Sequence, residues 1–234
     1  MTRFLSRLHR GQSGISLSEL LVSMSVASII IIAVGGFFVA TLRAGSTNST
    51  SDQNSRVASS VMNSVTRYVH AASLLPKADG SSVPAVVEAT PTKLTFTAFI
   101  NLDGNTTDKP VLVRYSLNSA QRIVFDQWDG TATNGFYSFP APTQTPTRSL
   151  VIGGPIASPT SDGDALFTYL GADGKAVATP ASGIVPATGL GTIRAVQVNL
   201  ELGSTTAGKP ANTHLQNTLY LFNVVYGTSV GTTP

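Results

Sequence analysis

The sequence contains no cysteine, which excludes a disulfide-stapled scaffold and any thiolate metal site. Charge is also scarce, at 12% of 234 residues, and it is unevenly spread. The first fourteen residues hold Arg3, Arg7 and Arg10 but no carboxylate, leaving 12 basic and 12 acidic residues in the rest of the chain. The net charge of +3 and the pI near 9.3 therefore belong to a short leader. A basic stripe of the kind that binds nucleic acid is not written in the remainder, so nucleic acid is not an expected partner.

One segment lacks charge altogether. Leu20 to Leu42, LLVSMSVASIIIIAVGGFFVATL, runs for 23 residues, and as a helix at about 1.5 Å per residue it would cover roughly 34 Å, enough to cross a bilayer. A core helix would carry its apolar residues on one face, not on all of them. Three arginines precede the run and only Arg43 follows closely, which places the N-terminus in the cytoplasm and the residues beyond Arg43 outside. An ordinary secretory signal has small residues just after a shorter apolar stretch. Here the small, polar stretch Gly11-Gln12-Ser13-Gly14 lies before the run. Cleavage after Gly14 would discard the basic leader, keep the membrane helix and make Ile15 the new N-terminus.

Glu19 is a lone carboxylate at the head of this apolar run. A carboxylate inside a bilayer costs about 2.5 to 3.5 kcal/mol on insertion scales. It is tolerated in the first helical turn, where the helix dipole favours it by about 0.3 to 1 kcal/mol. It can also pair with a free amine at Ile15, on the same chain or on a staggered neighbouring helix, and so set the register between packed helices.

The string Arg10-Gly11-Gln12-Ser13-Gly14-Ile15-Ser16-Leu17-Ser18-Glu19-Leu20-Leu21-Val22, with the apolar run after it, resembles the prepilin N-terminus of type IV pilins and type II secretion pseudopilins. The resemblance covers about 35 residues. It implies cleavage after Gly14 by a membrane prepilin peptidase, N-methylation of Ile15, and a Glu19 that neutralises a neighbour's amino terminus during assembly. It further implies other pilin or pseudopilin subunits and an assembly platform as partners. Two positions depart from the family pattern: Ile15 stands where Phe is usual, and Gly35-Gly36 where many major pilins have a helix-bending proline.

The remaining sequence divides into further parts. After the leader, 1–14, and the membrane helix, 15–44, comes a stretch 45–74 that begins small and polar (GSTNSTSDQNS), as either a linker or a weak helix. It then becomes periodic: Val57, Val61, Met62, Val65, Tyr68, Val69 and Ala72 form one stripe, and Leu75-Pro76 ends the helix. From 75 to 234 short alternating runs read as antiparallel strands of an extracytoplasmic head: 94–100, 111–117, 123–125, 165–170, 192–202 and 215–226. Asp103-Gly104-Asn105 reads as a turn, and 136–164, rich in Pro, Thr, Ser and Gly, as a long surface excursion. A long helix followed by sheet is α+β. The size of the chain and its helix-end and first-strand patterns resemble, more loosely, the larger minor pseudopilins.

Catalytic and cofactor signatures are weak. Gly227-Thr228-Ser229-Val230-Gly231 has the spacing of a nucleophile elbow, but no later helix or histidine completes it, so no enzyme activity and no cofactor are expected. His9, His70 and His214 are scattered. Asp126 with Asp129-Gly130, and Asp162-Gly163-Asp164, are calcium candidates that lack the twelve-residue loop pattern and read more simply as turns. Asn48-Ser49-Thr50 and Asn105-Thr106-Thr107 match the glycosylation tripeptide as chance would allow in so Ser/Thr-rich a chain. The expected function is that of a minor or tip subunit of an envelope filament, residing first in the cytoplasmic membrane. The alternative is a single-pass anchored surface protein with a ligand-binding head.

Overall fold

The computed structural model describes residues 14–100, 109–180, 182–203 and 213–225. The turn expected at 103–105, the tripeptide at 105–107, residues 1–13 with His9, and the C-terminal Gly227–Gly231 motif lie outside the described residues. The chain is α+β, and it divides into two units between Ser49 and Thr50.

The first unit consists of the early turns of helix α1 (Leu17–His70), preceded by the non-helical residues 14–16. Every residue from Gly14 to Thr50 is exposed, including Ile32 at 74% and Phe37 at 75%. This is the one helix among the described residues that is long and apolar enough to cross a membrane, and it lies near the N-terminus. Gly35-Gly36 remain helical. The 45–55 stretch, open between linker and helix in the sequence, is also helical. Its hydroxyls are accommodated by bonding back to the helix: Ser46 Oγ donates to Arg43 O (2.9 Å) and Ser55 Oγ to Ser51 O (2.9 Å).

The second unit contains the last turns of α1 and the strands β1 (Leu75–Pro76), β2 (Ser82–Val83), β3 (Val86–Thr90), β4 (Lys93–Phe99), β5 (Pro110–Leu117), β6 (Ile123–Asp129), β7 (Thr131–Thr133), β8 (Phe136–Ser138), β9 (Arg148–Gly153), β10 (Ile156–Ala157), β11 (Phe167–Leu170), β12 (Ala195–Leu202) and β13 (Thr213–Tyr220). Two one-turn helices complete it, α2 (Ala187–Leu190) and α3 (Phe222–Val225). One antiparallel sheet has the order β3-β4-β5-β6-β9. In a second, β12 pairs along its length with β13 and, in successive stretches, with β10 and β11.

The apolar stripe of α1 packs on the first sheet. Of the predicted stripe, Val61, Met62, Val65, Tyr68, Val69 and Ala72 are buried and Val57 is half-buried, while Ala58, outside the predicted set, is buried as well. The Tyr68 ring lies 5.0 Å from Phe125 and edge-on to Tyr115 at 6.4 Å, and the Tyr115 hydroxyl bonds Ser64 Oγ at 3.0 Å. Gly153 at the end of β9 permits this approach, since a Cβ there would collide with Val61 Cγ2. The other face of the sheet carries a polar row. Register places Arg114 opposite Asp126; its Nη2 donates to Asp126 Oδ2 at 2.6 Å and its Nη1 to Pro142 O at 2.8 Å. Ser149 Oγ donates to Asp126 Oδ1, and the fully buried Trp128 donates its ring N–H to Gln144 O. These bonds tie the 139–147 segment across the outer face.

The expected surface excursion over 136–164 is therefore corrected. It contains β8, β9 and β10, with β9 completing the first sheet against β6. Proline and threonine on either side mask a six-residue edge strand whose Leu150 and Val151 stay exposed, as an edge needs little apolar surface to pair. The strands expected elsewhere in the described residues are present, the last one ending at Tyr220 before α3. Tyr169 joins the two sheets: its hydroxyl lies 2.8 and 2.7 Å from the carbonyl oxygens of Thr90 and Lys93 and accepts the Thr90 N–H at 3.1 Å. Burial raises the Tyr169 phenol well above its usual pKa, and burial raises that of Tyr115 in the same direction despite its bond to Ser64.

Candidate functional site

Three sequence-predicted residues stand at the start of α1, Gly14 and Ile15 before it and Glu19 in its first turn. Gly14 and Ile15 precede the helix in exposed, non-helical backbone, with Ile15 at 75% exposure and nothing within 4 Å of a Cβ built on Gly14. A peptide bond between them is accessible to a protease that requires extended chain. The first hydrogen bond of the helix runs from Leu20 N to Ser16 O (3.1 Å), so Ser16 is the capping residue.

Glu19 folds back onto that cap. Its backbone N–H donates to Ser16 Oγ at 3.2 Å, while the Ser16 N–H donates to Glu19 Oε2 at 3.2 Å. Ser16 Oγ also lies 3.3 Å from Glu19 Oε2 and 2.9 Å from Ser18 Oγ. The reciprocal pair is a capping box, which satisfies two of the helix's orphan donors. Its signal, Ser followed three residues later by Glu, stands in the sequence as Ser16-Leu17-Ser18-Glu19, and a reading confined to charge and dipole overlooks it. None of these bonds uses Glu19 Oε1. Ile15 and Leu20 also occupy the two positions of a hydrophobic staple, which would fix the angle at which the chain enters the helix.

Further along, the polar side chains of the apolar run are satisfied within the helix itself. Ser23, Ser25, Ser28 and Thr41 donate to the carbonyls four residues earlier, at 2.7, 2.8, 2.7 and 2.9 Å. A helix that leaves no hydroxyl seeking a partner suits an apolar surrounding.

The other candidates do not assemble into a reactive centre. Asp126 lies on a strand, held by Arg114 and Ser149, and Asp129 accepts from its neighbour Gln127. They do not wrap a common loop. Asp162 and Asp164 stand exposed on a turn. The His70 ring lies 4.8 Å from Phe222, whereas His214 Nε2 lies 3.6 Å from Glu201 Oε1. Among the described residues no three His, Asp or Glu side chains are grouped to hold a metal ion. The Arg114–Asp126–Ser149 row was invisible in the sequence, because cross-strand register, and not spacing along the chain, creates it.

No protein-family model, curated protein or solved structure matches this chain. What it displays is a long N-terminal apolar helix followed by a β-sheet head.

Proposed function

We propose that the chain is a prepilin-like structural subunit, cut after Gly14 and assembled by helix packing into a type IV pilus or pseudopilus, in a minor or tip position. The supporting observation is the junction itself: an exposed Gly14–Ile15 bond, a capped helix start carrying Glu19, and an uninterrupted apolar helix beyond. In this reading the precursor sits in the cytoplasmic membrane with its head outside. Prepilin peptidase removes the leader, and an assembly platform then transfers the helix from lipid to a filament core.

The energetics suit that transfer. Side chains that face lipid and side chains that face other apolar helices are in similar surroundings, so extraction needs no large hydrophobic loss. Glu19 is the exception. Its Oε2 is engaged by the Ser16 cap, and Oε1 is the oxygen that would receive the cationic amino terminus of a neighbouring Ile15. The function is structural, with no catalytic group required of this chain.

Intact-mass analysis of the membrane-extracted protein tests the reading. A chain that begins at Ile15, with or without a methyl group, supports it; one that begins at Met1 or Thr2 refutes it and favours an anchored surface protein. For the role of Glu19, E19A is expected to be processed normally yet to be lost from sheared filaments. Normal incorporation of that variant would overturn the role. Dominance of this chain in such filaments would overturn the minor-subunit position.

A further inference from the structure

Each of the two main sheets ends on a strand with an open edge, β9 in the first and β13 in the second. The other outer strands are closed. On β3, Ala89 O accepts the Val185 N–H (2.9 Å) and the Thr90 N–H meets the Tyr169 hydroxyl (3.1 Å). On β11, Tyr169 O accepts the Val177 N–H (2.8 Å), and the short β10 bonds Gln121 O through Ile156 N (2.7 Å).

Register decides which backbone groups face outward. Gly130 N donates to Pro110 O, in step with the Leu112–Trp128 and Arg114–Asp126 pairs, so the even residues of β6 bond β5. The odd ones, Phe125 and Gln127, then bond Leu150 and Arg148 of β9, and Ser149 and Val151 turn their N–H and C=O away from the sheet. On β13, Leu221 N donates to Arg194 O, which sets the odd residues against β12 and turns His214, Gln216, Thr218 and Tyr220 outward. Among the described residues no hydrogen bond reaches any of these outward backbone groups.

Open edges are commonly blunted by lysine, proline or a covering segment. Neither strand contains lysine or proline. Exposed apolar side chains stand on both, Leu150 (41%) and Val151 (57%) on β9 and Tyr220 (54%) on β13. Such an edge accepts another strand, because only an extended backbone presents N–H and C=O groups at matching intervals.

The flanking charges are opposite. Arg148 opens β9 and Arg122 lies beside Gly154 at its far end; both are exposed, and among the described residues neither is in an ion pair. Next to β13, the exposed Asp162 and Asp164 share a hollow with His214 and Gln216, and they too have no ion-pair partner among the described residues.

We propose that β9 of one copy pairs antiparallel with β13 of a second copy. With Val151 opposite Gln216 and Ser149 opposite Thr218, the outward groups of β9 are all bonded. Gly153 then falls opposite His214, which brings Arg122 to Asp162 and Asp164. The two edges are different surfaces, so the contact is head-to-tail and leaves one open edge at each end of a run. A run of two copies is compatible with a minor position in a filament. The proposal does not rest on the filament reading, since both edges belong to the second unit, and either can fail alone.

The test is sedimentation velocity of the full chain in detergent micelles, at low salt and over a wide concentration range. The wild type is expected to associate reversibly. V151P and Q216P should each weaken that association at least about tenfold, since each removes an N–H that its own sheet does not use. An equal mixture of the two keeps one sound edge of each kind and should form heterodimers that grow no further. R122E should weaken association about threefold, and mixing it with D162K/D164K should restore it. A monomeric wild type would overturn the proposal. So would association unchanged in both proline variants, which would belong to the membrane helix, or association lost in V151P but kept in Q216P. Melting curves check the proline variants; where one melts early, the exposed charge pair decides alone, and failure of the mixture to recover overturns the proposal.

Discussion

Between Leu17 and Ser49 the helix exposes apolar side chains on every side, whereas between Thr50 and His70 it buries a single stripe against a sheet. The two stretches belong to one secondary-structure element and to different units of the chain. The difference teaches that hydrophobicity and burial are separate properties. Among the described residues nothing covers the more apolar stretch, whose length and composition suit an apolar surrounding. The less apolar stretch finds its partner in the chain's own strands, and one stripe suffices because water covers the rest.

Paired substitutions break this comparison most sharply. F125A should destabilise the second unit by about 3 to 5 kcal/mol, since the ring packs against Tyr68 and Tyr115. F37A removes an equally large side chain that is 75% exposed, and should leave the same denaturant midpoint unmoved. Equal losses in the two variants would mean that the exposed stretch packs on the second unit after all.

A charge in the middle of the apolar run is the next largest perturbation. I31R should weaken membrane insertion by about 2.5 to 3.5 kcal/mol, read by alkaline-carbonate extraction. The fluorescence of Trp128, the single tryptophan, should report an intact second unit in the same sample. A loss of Trp128 burial would contradict the separation of the two units.

The alkaline limb of stability tests the second unit alone. Tyr115 and Tyr169 have phenols whose pKa is raised in the fold, chiefly by burial. A raised value means that the contribution is whole below the unfolded tyrosine pKa, near 10, and is lost as pH rises above it. Each phenol should remove about 1.4 kcal/mol per pH unit there, so a denaturation series between pH 9 and 11.5 should steepen beyond 10. Ultraviolet titration should show phenols that ionise only on unfolding. Normal ionisation of all six tyrosines without unfolding would refute the claim.

The smallest effect lies at the helix start. S16A removes the cap and should cost about 1 kcal/mol of local helix stability. Hydrogen exchange in the turn 17–20 should accelerate, with the second unit unchanged.

Much of the fold was legible because periodicity carries it. The Val57 to Ala72 stripe and the strands at 94–100, 111–117 and 192–202 announce themselves by spacing, whatever they pack against. The strand at 148–153 did not, because prolines and threonines on either side dilute the alternation and an edge strand needs few apolar residues. At the candidate site, Gly14, Ile15 and Glu19 were evident from type and order. The hydrogen bonds that engage Glu19 Oε2 were implied by Ser16-Leu17-Ser18-Glu19 but required a different pattern to be sought.

By itself, the sequence determined the membrane-length apolar run, the arginines before it, the helix-then-sheet order and the stripe that faces the core. These follow from local composition and repeat, which tertiary packing does not alter. The tertiary structure alone decided the rest: that Arg114 meets Asp126, that Tyr169 closes on Thr90 and Lys93, and that Asp162, Asp164, Asn199 and His214 line one cavity. Strand register and long-range closure make these encounters, and a linear pattern of residues does not encode which strand lies beside which.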